Sequence, residues 1–134
     1  MLKNKENYIK ISMEMSPEIF CQRTFHTTFI VKKGRIQSIG TNCLKTHPKN
    51  LKYDYYGKEG VDIRSVVGVH SELDAVLKYG KDDCSDCIIV NVRIDKNKKV
   101  NIAKPCRGCQ SLLLRVGYKR LFYTDENGIF KMWQ

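Results

Sequence analysis

The sequence predicts an α/β fold, with helices layered over a mixed β-sheet. Two observations carry this expectation. Short runs rich in β-branched and apolar residues alternate along the chain with stretches of helical periodicity. One of those runs, "CIIVNVRI" at residues 87–94, is apolar at nearly every position, as a strand covered on both faces must be. With 134 residues the chain is long enough for one compact core and too short for two ordinary ones, so residues 1–134 are expected to form a single domain.

Taken in order, residues 5–20 place Tyr8, Ile9, Ile11, Met13, Met15 and Ile19 at the loose spacing of an amphipathic helix. "TFHTTFIVKKGRIQSIGTN" reads as two strands joined at Gly34, a hairpin. Residues 43–65 mix Pro48, Gly57 and Gly60 with lysines and tyrosines and predict a long loop, a feature often kept for function. From His70 to Tyr79 the apolar positions Leu73, Ala75, Val76 and Leu77 give a short helix closed by Gly80. After the strand at 87–94 come the turn "DKNKKV" and the extended piece "NIAKP". Residues 106–116 form a second short helix, packed through Leu112, Leu113 and Val116 and stopped by Gly117. "KRLFYTD" and "IFKMW" are the last two strands, separated by the turn "ENG".

Composition narrows the setting. No apolar run nears the roughly 18 residues of a membrane span, and "MLKNKENYIKISMEMS" lacks the apolar block of a secretory signal. A cytoplasmic, reducing environment is therefore expected, in which the C-x-x-C pairs Cys84/Cys87 and Cys106/Cys109 point to metal more than to disulfides. The net charge of +10 is concentrated in residues 93–120, where nine cations face one acid, a local +8.

The chemistry gathers at two predicted helix starts, "HSELDAVLKYG" and "KPCRGCQSLLLRVG". Backbone N–H groups at a helix start are unpaired and the dipole there is positive, so a thiolate is stabilised. Cys106 and Cys109, three residues apart, lie on one side of a first turn and can chelate one ion, and Pro105 suits the approach to a helix. One His and two Cys give zinc three protein ligands and leave a fourth position for water, as in catalytic sites. Zn²⁺ with two thiolates and a neutral imidazole is formally neutral, so a hydroxide brings the cluster only to −1. Glu72 stands two residues from His70, off its helix face, yet near enough at a helix start to exchange protons with such a water.

"HSE" followed by "PCRGC" resembles the zinc-dependent cytidine and deoxycytidylate deaminase superfamily, whose signature is H-x-E…P-C-x-x-C. The likeness runs from about Phe25 to Tyr123 and implies a three-layer α/β/α fold with a mixed central sheet. It implies that His70, Cys106 and Cys109 bind Zn²⁺, and that Glu72 shuttles protons while zinc-bound hydroxide attacks C4 of cytosine and ammonia leaves. "SIGTNCLKTHP" is similar to a segment in which an Asn binds the substrate sugar, here Asn42, and it looks most like small phage and viral deoxycytidylate deaminase-like proteins. Ser71 stands where many members have Ala and Gln110 where many have Ala. The resemblance thus implies hydrolytic deamination of a cytosine nucleotide, dCMP to dUMP in the first place, by a homo-oligomer without membrane contact. Ser71 and Arg107 are further candidates to meet substrate.

Rival readings stand beside these. The same chemistry on cytosine, or adenine, in single-stranded DNA or RNA is favoured by the basic 93–120 segment. A non-catalytic zinc module is another, against which Glu72 argues. Cys84/Cys87 can join Cys106/Cys109 in a structural Cys₄ site, or be two small apolar residues at a strand entrance. Cys43 and His47 have the spacing of a second zinc site. Arg107 is either a phosphate ligand or a solvated side chain. Lys45, Lys49, Lys52, Tyr53, Tyr55 and Tyr56 are a stacking surface or a packed lid. His26 reads as a packed or edge residue.

Overall fold

The structure is a computed structural model that describes residues 2–18, 24–42 and 70–133. The predicted loop at 43–65, with Cys43, His47 and the tyrosine–lysine segment, lies outside the described residues, as does the expected end of the first helix. The elements are α1 (Lys5–Met15), β1 (Thr24–Lys32), β2 (Arg35–Thr41), α2 (Ser71–Tyr79), β3 (Ile88–Asp95), β4 (Val100–Asn101), α3 (Arg107–Val116), β5 (Arg120–Thr124) and β6 (Phe130–Met132).

One six-stranded sheet runs β2-β1-β3-β5-β6, with β4 paired to β3. β3 and β5 are parallel and joined through α3, and the other pairings are antiparallel, so the sheet is mixed as expected. The hairpin at Gly34 closes with Lys33 and Gly34 both at positive φ, 51° and 75°, between the paired residues Lys32 and Arg35. This is the two-residue turn whose twist matches its strands.

Helices cover both faces. On one, α1 lays Tyr8 edge-on against Phe29, with ring centroids 5.1 Å apart, over Val31, Val90, Val92 and Ile94. On the other, α2 and α3 pack Leu73, Val76, Leu112 and Val116 around Ile30, while Leu113 meets Ile89 and Leu121. Each such side chain removed from water stabilises the fold by about 1.5–3 kcal/mol. β3 is buried at alternate positions against both layers, as its apolar run predicts.

Three boundaries differ from expectation for local reasons. α1 ends at Met15, short of residue 20, because Ser16 precedes Pro17 and takes an extended ψ of 135° that no helix continues through. α3 begins at Arg107, not 106, since Cys106 is its extended N-cap, and Pro105 lies one residue outside the helix. Of "NIAKP" only Asn101 belongs to a strand. Cys84 and Cys87 are wholly buried in the core under α2 and α3, and they belong to no three-residue metal-binding group among the described residues. Burial pushes the Cys84 thiol up to about 12, the behaviour of a small apolar residue. No helix among the described residues is long and apolar enough to cross a membrane.

Candidate active site and metal centre

Both predicted helix starts come together at one place. His70 is the extended N-cap of α2 and Cys106 that of α3. Each cap carbonyl accepts the first helical hydrogen bond, from Asp74 N–H at 3.0 Å and from Gln110 N–H at 2.8 Å. His70 Nδ1 lies 3.4 Å from Cys106 Sγ and 3.3 Å from Cys109 Sγ, and the three ligand atoms fall within 4.8 Å of one another. Such a group can hold a metal ion. Tetrahedral zinc, with Zn–N near 2.05 Å and Zn–S near 2.3 Å, sets N···S separations at about 3.5 Å, so both the donor set and its spacing fit zinc.

α2 is held to the sheet by its own first turns. Gly40 of β2 passes so close that an added Cβ would strike the backbone of Ser71 and Ala75. Asp74 accepts the Thr41 N–H at 2.8 Å and pairs with Lys78 at 2.8 Å, and Ser38 donates to the Ala75 carbonyl at 2.8 Å. Gly80 closes the helix in the left-handed region, φ 76°.

Charges at the metal centre are mutually adjusted. The hydrogen bond from Cys109, joined by that from His70 and the imidazolium charge, brings the Cys106 thiol down to about 4. The same contact with Cys106 raises the His70 imidazole, against the effect of burial. Each group thus favours the charged form of the other in a metal-free site.

Glu72 is 6% exposed. Burial, and next the Cys106 thiolate, push its carboxyl above the usual carboxylate range. Its oxygens are held by a closed ring of polar side chains. Ser71 Oγ donates to Oε1 at 3.1 Å, and Asn91 Nδ2 donates to Oε2 at 3.2 Å. Thr28 Oγ1 meets Ser71 Oγ at 2.8 Å and donates to Asn91 Oδ1 at 2.8 Å. Burial outweighs the hydrogen bonds from Ser71 and the backbone, which favour the ionised form, and the carboxyl is held above its usual range.

The other predicted residues are placed as follows. Asn42 braces the first strand, its Oδ1 accepting the His26 N–H at 3.0 Å and its Nδ2 donating to the Thr24 carbonyl at 3.1 Å. Ser71 is buried, with its hydroxyl turned to Glu72 and Thr28. Arg107 stands exposed on the first turn of α3. Sequence reasoning missed Thr28 and Asn91, although a polar Asn inside an otherwise apolar strand is a signal, because buried amides are almost always partnered. It also did not link His26 to Arg93, which are direct partners between β1 and β3. Burial, then the Arg93 charge, then His70, lower the His26 imidazole to about 4.

No protein-family model and no curated protein matches the sequence. Solved structures do resemble it. A cytidine deaminase from Burkholderia pseudomallei superposes with a TM-score of 0.60 over all of this chain and 93% of its own, at 14% identity. A dCMP deaminase from the cyanophage S-TIM5 superposes with a TM-score of 0.55 over 96% of this chain and 90% of its own, at 23% identity. With its mixed six-stranded sheet between helical layers, the chain has the cytidine deaminase-like fold.

Proposed function

We propose that this protein is a zinc-dependent hydrolase that deaminates a cytosine nucleotide, dCMP to dUMP in the first place. The observation that carries the reading is the meeting of His70, Cys106 and Cys109 at the starts of two helices beside a buried Glu72 whose carboxyl burial raises. His70 Nδ1 and the two thiolates hold the metal. Zinc, when bound there, supplies Lewis acidity that makes water a nucleophile near neutral pH. Glu72 takes the proton of the attacking water and hands it to the amine that leaves C4, so that cytosine and water become uracil and ammonia. A carboxyl raised above its usual range by burial is better suited to both halves of that transfer. Ser71, Thr28 and Asn91 hold the carboxyl in one orientation while it exchanges its proton. Asn42 borders the substrate from the end of β2. The fold shared with a cytidine deaminase and a phage dCMP deaminase supports cytosine as the base.

The second reading, deamination within single-stranded nucleic acid, is favoured by the +8 of residues 93–120. Lys98 of that segment is partly spent on the protein's own surface, its ammonium donating to Ser16 Oγ and to the Pro17 carbonyl at 2.7 Å each. A competition assay separates the readings: zinc-loaded protein is given deoxycytidylate, cytidylate, deoxycytidine, deoxycytidine triphosphate and a cytosine-bearing oligonucleotide together. Mass spectrometry then follows exchange of amine for oxygen. Exchange confined to a mononucleotide supports the first reading and exchange in the oligonucleotide alone the second, while no exchange overturns cytosine as the base and leaves adenine substrates or a non-catalytic zinc module.

A further inference from the structure

We propose that Arg93 forms an anion subsite of this active site that seats a phosphate of the substrate. The proposal rests on the deaminase reading for the identity of that substrate, and on the following observations for the subsite.

Thr28 and Asn91, which support Glu72, are partners between β1 and β3, and His26 and Arg93 are the partners two residues along. Side chains two residues apart share a face of a sheet, about 7 Å apart along the strand. Arg93 therefore stands one rung from the floor under Glu72, on the face that α2 and α3 cover. The zinc ligands are within electrostatic reach, since His26 feels Arg93, His70 and Cys106 together.

Arg93 is a cation short of partners. Its Nη1 donates to the Ile102 carbonyl at 3.3 Å. Its Nε is buried with no hydrogen-bond partner, alone in this among the side-chain atoms of the described residues. None of the ion pairs Lys32–Asp86, Lys78–Asp74 and Lys131–Asp125 involves Arg93. Asp95, next on the same face, is occupied by the backbone N–H groups of Asn97 and Lys99 at 2.9 and 3.0 Å. Glu72 is already served by Ser71 and Asn91. An uncompensated guanidinium beside a reaction site calls for an anion, and its planar fork matches phosphate. Cytosine and its sugar are uncharged near neutral pH, so a phosphate is the part of the substrate that fits. A phosphomonoester of a mononucleotide and a phosphodiester of a strand offer the same chemistry.

The test compares zinc-loaded wild-type protein with Arg93→Gln and Arg93→Lys, after zinc content and thermal midpoint establish that each variant folds. The quantity read is the kcat/KM preference for a phosphorylated substrate, deoxycytidylate or a cytosine-bearing trinucleotide, over deoxycytidine. Arg93→Gln lowers that preference by roughly 10- to 100-fold, the span of a lost charge-assisted hydrogen bond, and Arg93→Lys restores part of it. Dependence for deoxycytidylate identifies a monoester seat, and dependence for the trinucleotide a diester seat. A preference equal in all three proteins, or a loss equal for nucleoside and nucleotide, overturns the subsite. Calorimetry with deoxyuridylate, deoxyuridine and inorganic phosphate provides a readout free of turnover. Absence of amine exchange in the wild type refutes the deaminase reading alone. Wild-type protein that binds inorganic phosphate more tightly than Arg93→Lys then supports the subsite, and wild-type protein that binds neither inorganic phosphate nor deoxyuridylate overturns it.

Discussion

Asn91 donates its side-chain amide to the Glu72 carboxyl across 3.2 Å, which ties the middle strand of the sheet to the helix that carries the acid. The same Asn accepts from Thr28 on the neighbouring strand, so the orientation of Glu72 is fixed from the sheet as well as from its own helix. Removing the Thr28 hydroxyl leaves Asn91 Oδ1 without its donor and frees the ring to rotate. Thr28→Val is expected to lower kcat about 10-fold with bound zinc unchanged, and Thr28→Ser, which keeps the hydroxyl, to recover most of it. Steady-state kinetics with metal analysis on the two variants check this, and a loss in Thr28→Ser with Thr28→Val spared would assign Thr28 a packing role.

Glu72 itself is expected to be dispensable for metal and indispensable for turnover. Glu72→Gln keeps the shape and the contacts with Ser71 and Asn91 but cannot carry a proton. General acid–base groups contribute roughly 10²–10⁴-fold, so activity should fall by at least that range. Zinc, held by His70, Cys106 and Cys109, should remain near one per chain by elemental analysis. Loss of zinc together with activity would instead place Glu72 among the ligands.

Much of this site was legible in the sequence, because H-x-E and P-C-x-x-C are short-range patterns and the caps that present them are local structure. The glycine stops were legible for the same reason: Gly80 and Gly117 both sit at positive φ, as helix-ending glycines do. What escaped depends on register between strands distant in sequence. That Thr28 pairs with Asn91, and His26 with Arg93, follows from how β1 lies on β3, and no local pattern encodes that alignment. Arg93 was hidden in a count of basic residues, since a charge total does not say which side chain turns inward. Cys84/Cys87 has the same spacing as Cys106/Cys109 yet lies in the core, because spacing describes ligand geometry and not what packs above it.

Two glycines offer a contrast in cost. Gly80→Ala meets open space but keeps a φ of 76° that alanine disfavours, and about 1 kcal/mol of stability should be lost. Gly40→Ala drives a Cβ into the backbone of Ser71 and Ala75, and α2 can yield only by moving away from β2. A loss of about 1–3 kcal/mol or more is expected, with weakened zinc binding because His70 travels with α2. Thermal melts of both variants with and without zinc check the difference, and equal destabilisation would mean that α2 shifts freely on the sheet.

The thiols of the metal-free protein should differ sharply in reactivity. Cys106 is exposed and its thiol lies at about 4, whereas Cys84 is buried with its thiol at about 12. The thiolate is the nucleophile, so the alkylation rate of Cys106 should rise with pH through about 4 and be level by pH 6. Cys84 should stay unmodified until the protein unfolds. The sign for metal affinity is opposed to that of a free thiol. His70 must lose a proton before it can bind zinc, and because its contact with Cys106 raises its pKa, affinity should weaken as pH falls through and below neutrality. Zinc should protect Cys106 and Cys109 together, and peptide mapping after iodoacetamide treatment, across pH 4–8 with and without zinc, measures both effects. Labelling of Cys106 that persists with zinc bound would remove it from the ligand set and leave the metal on His70 and Cys109 alone.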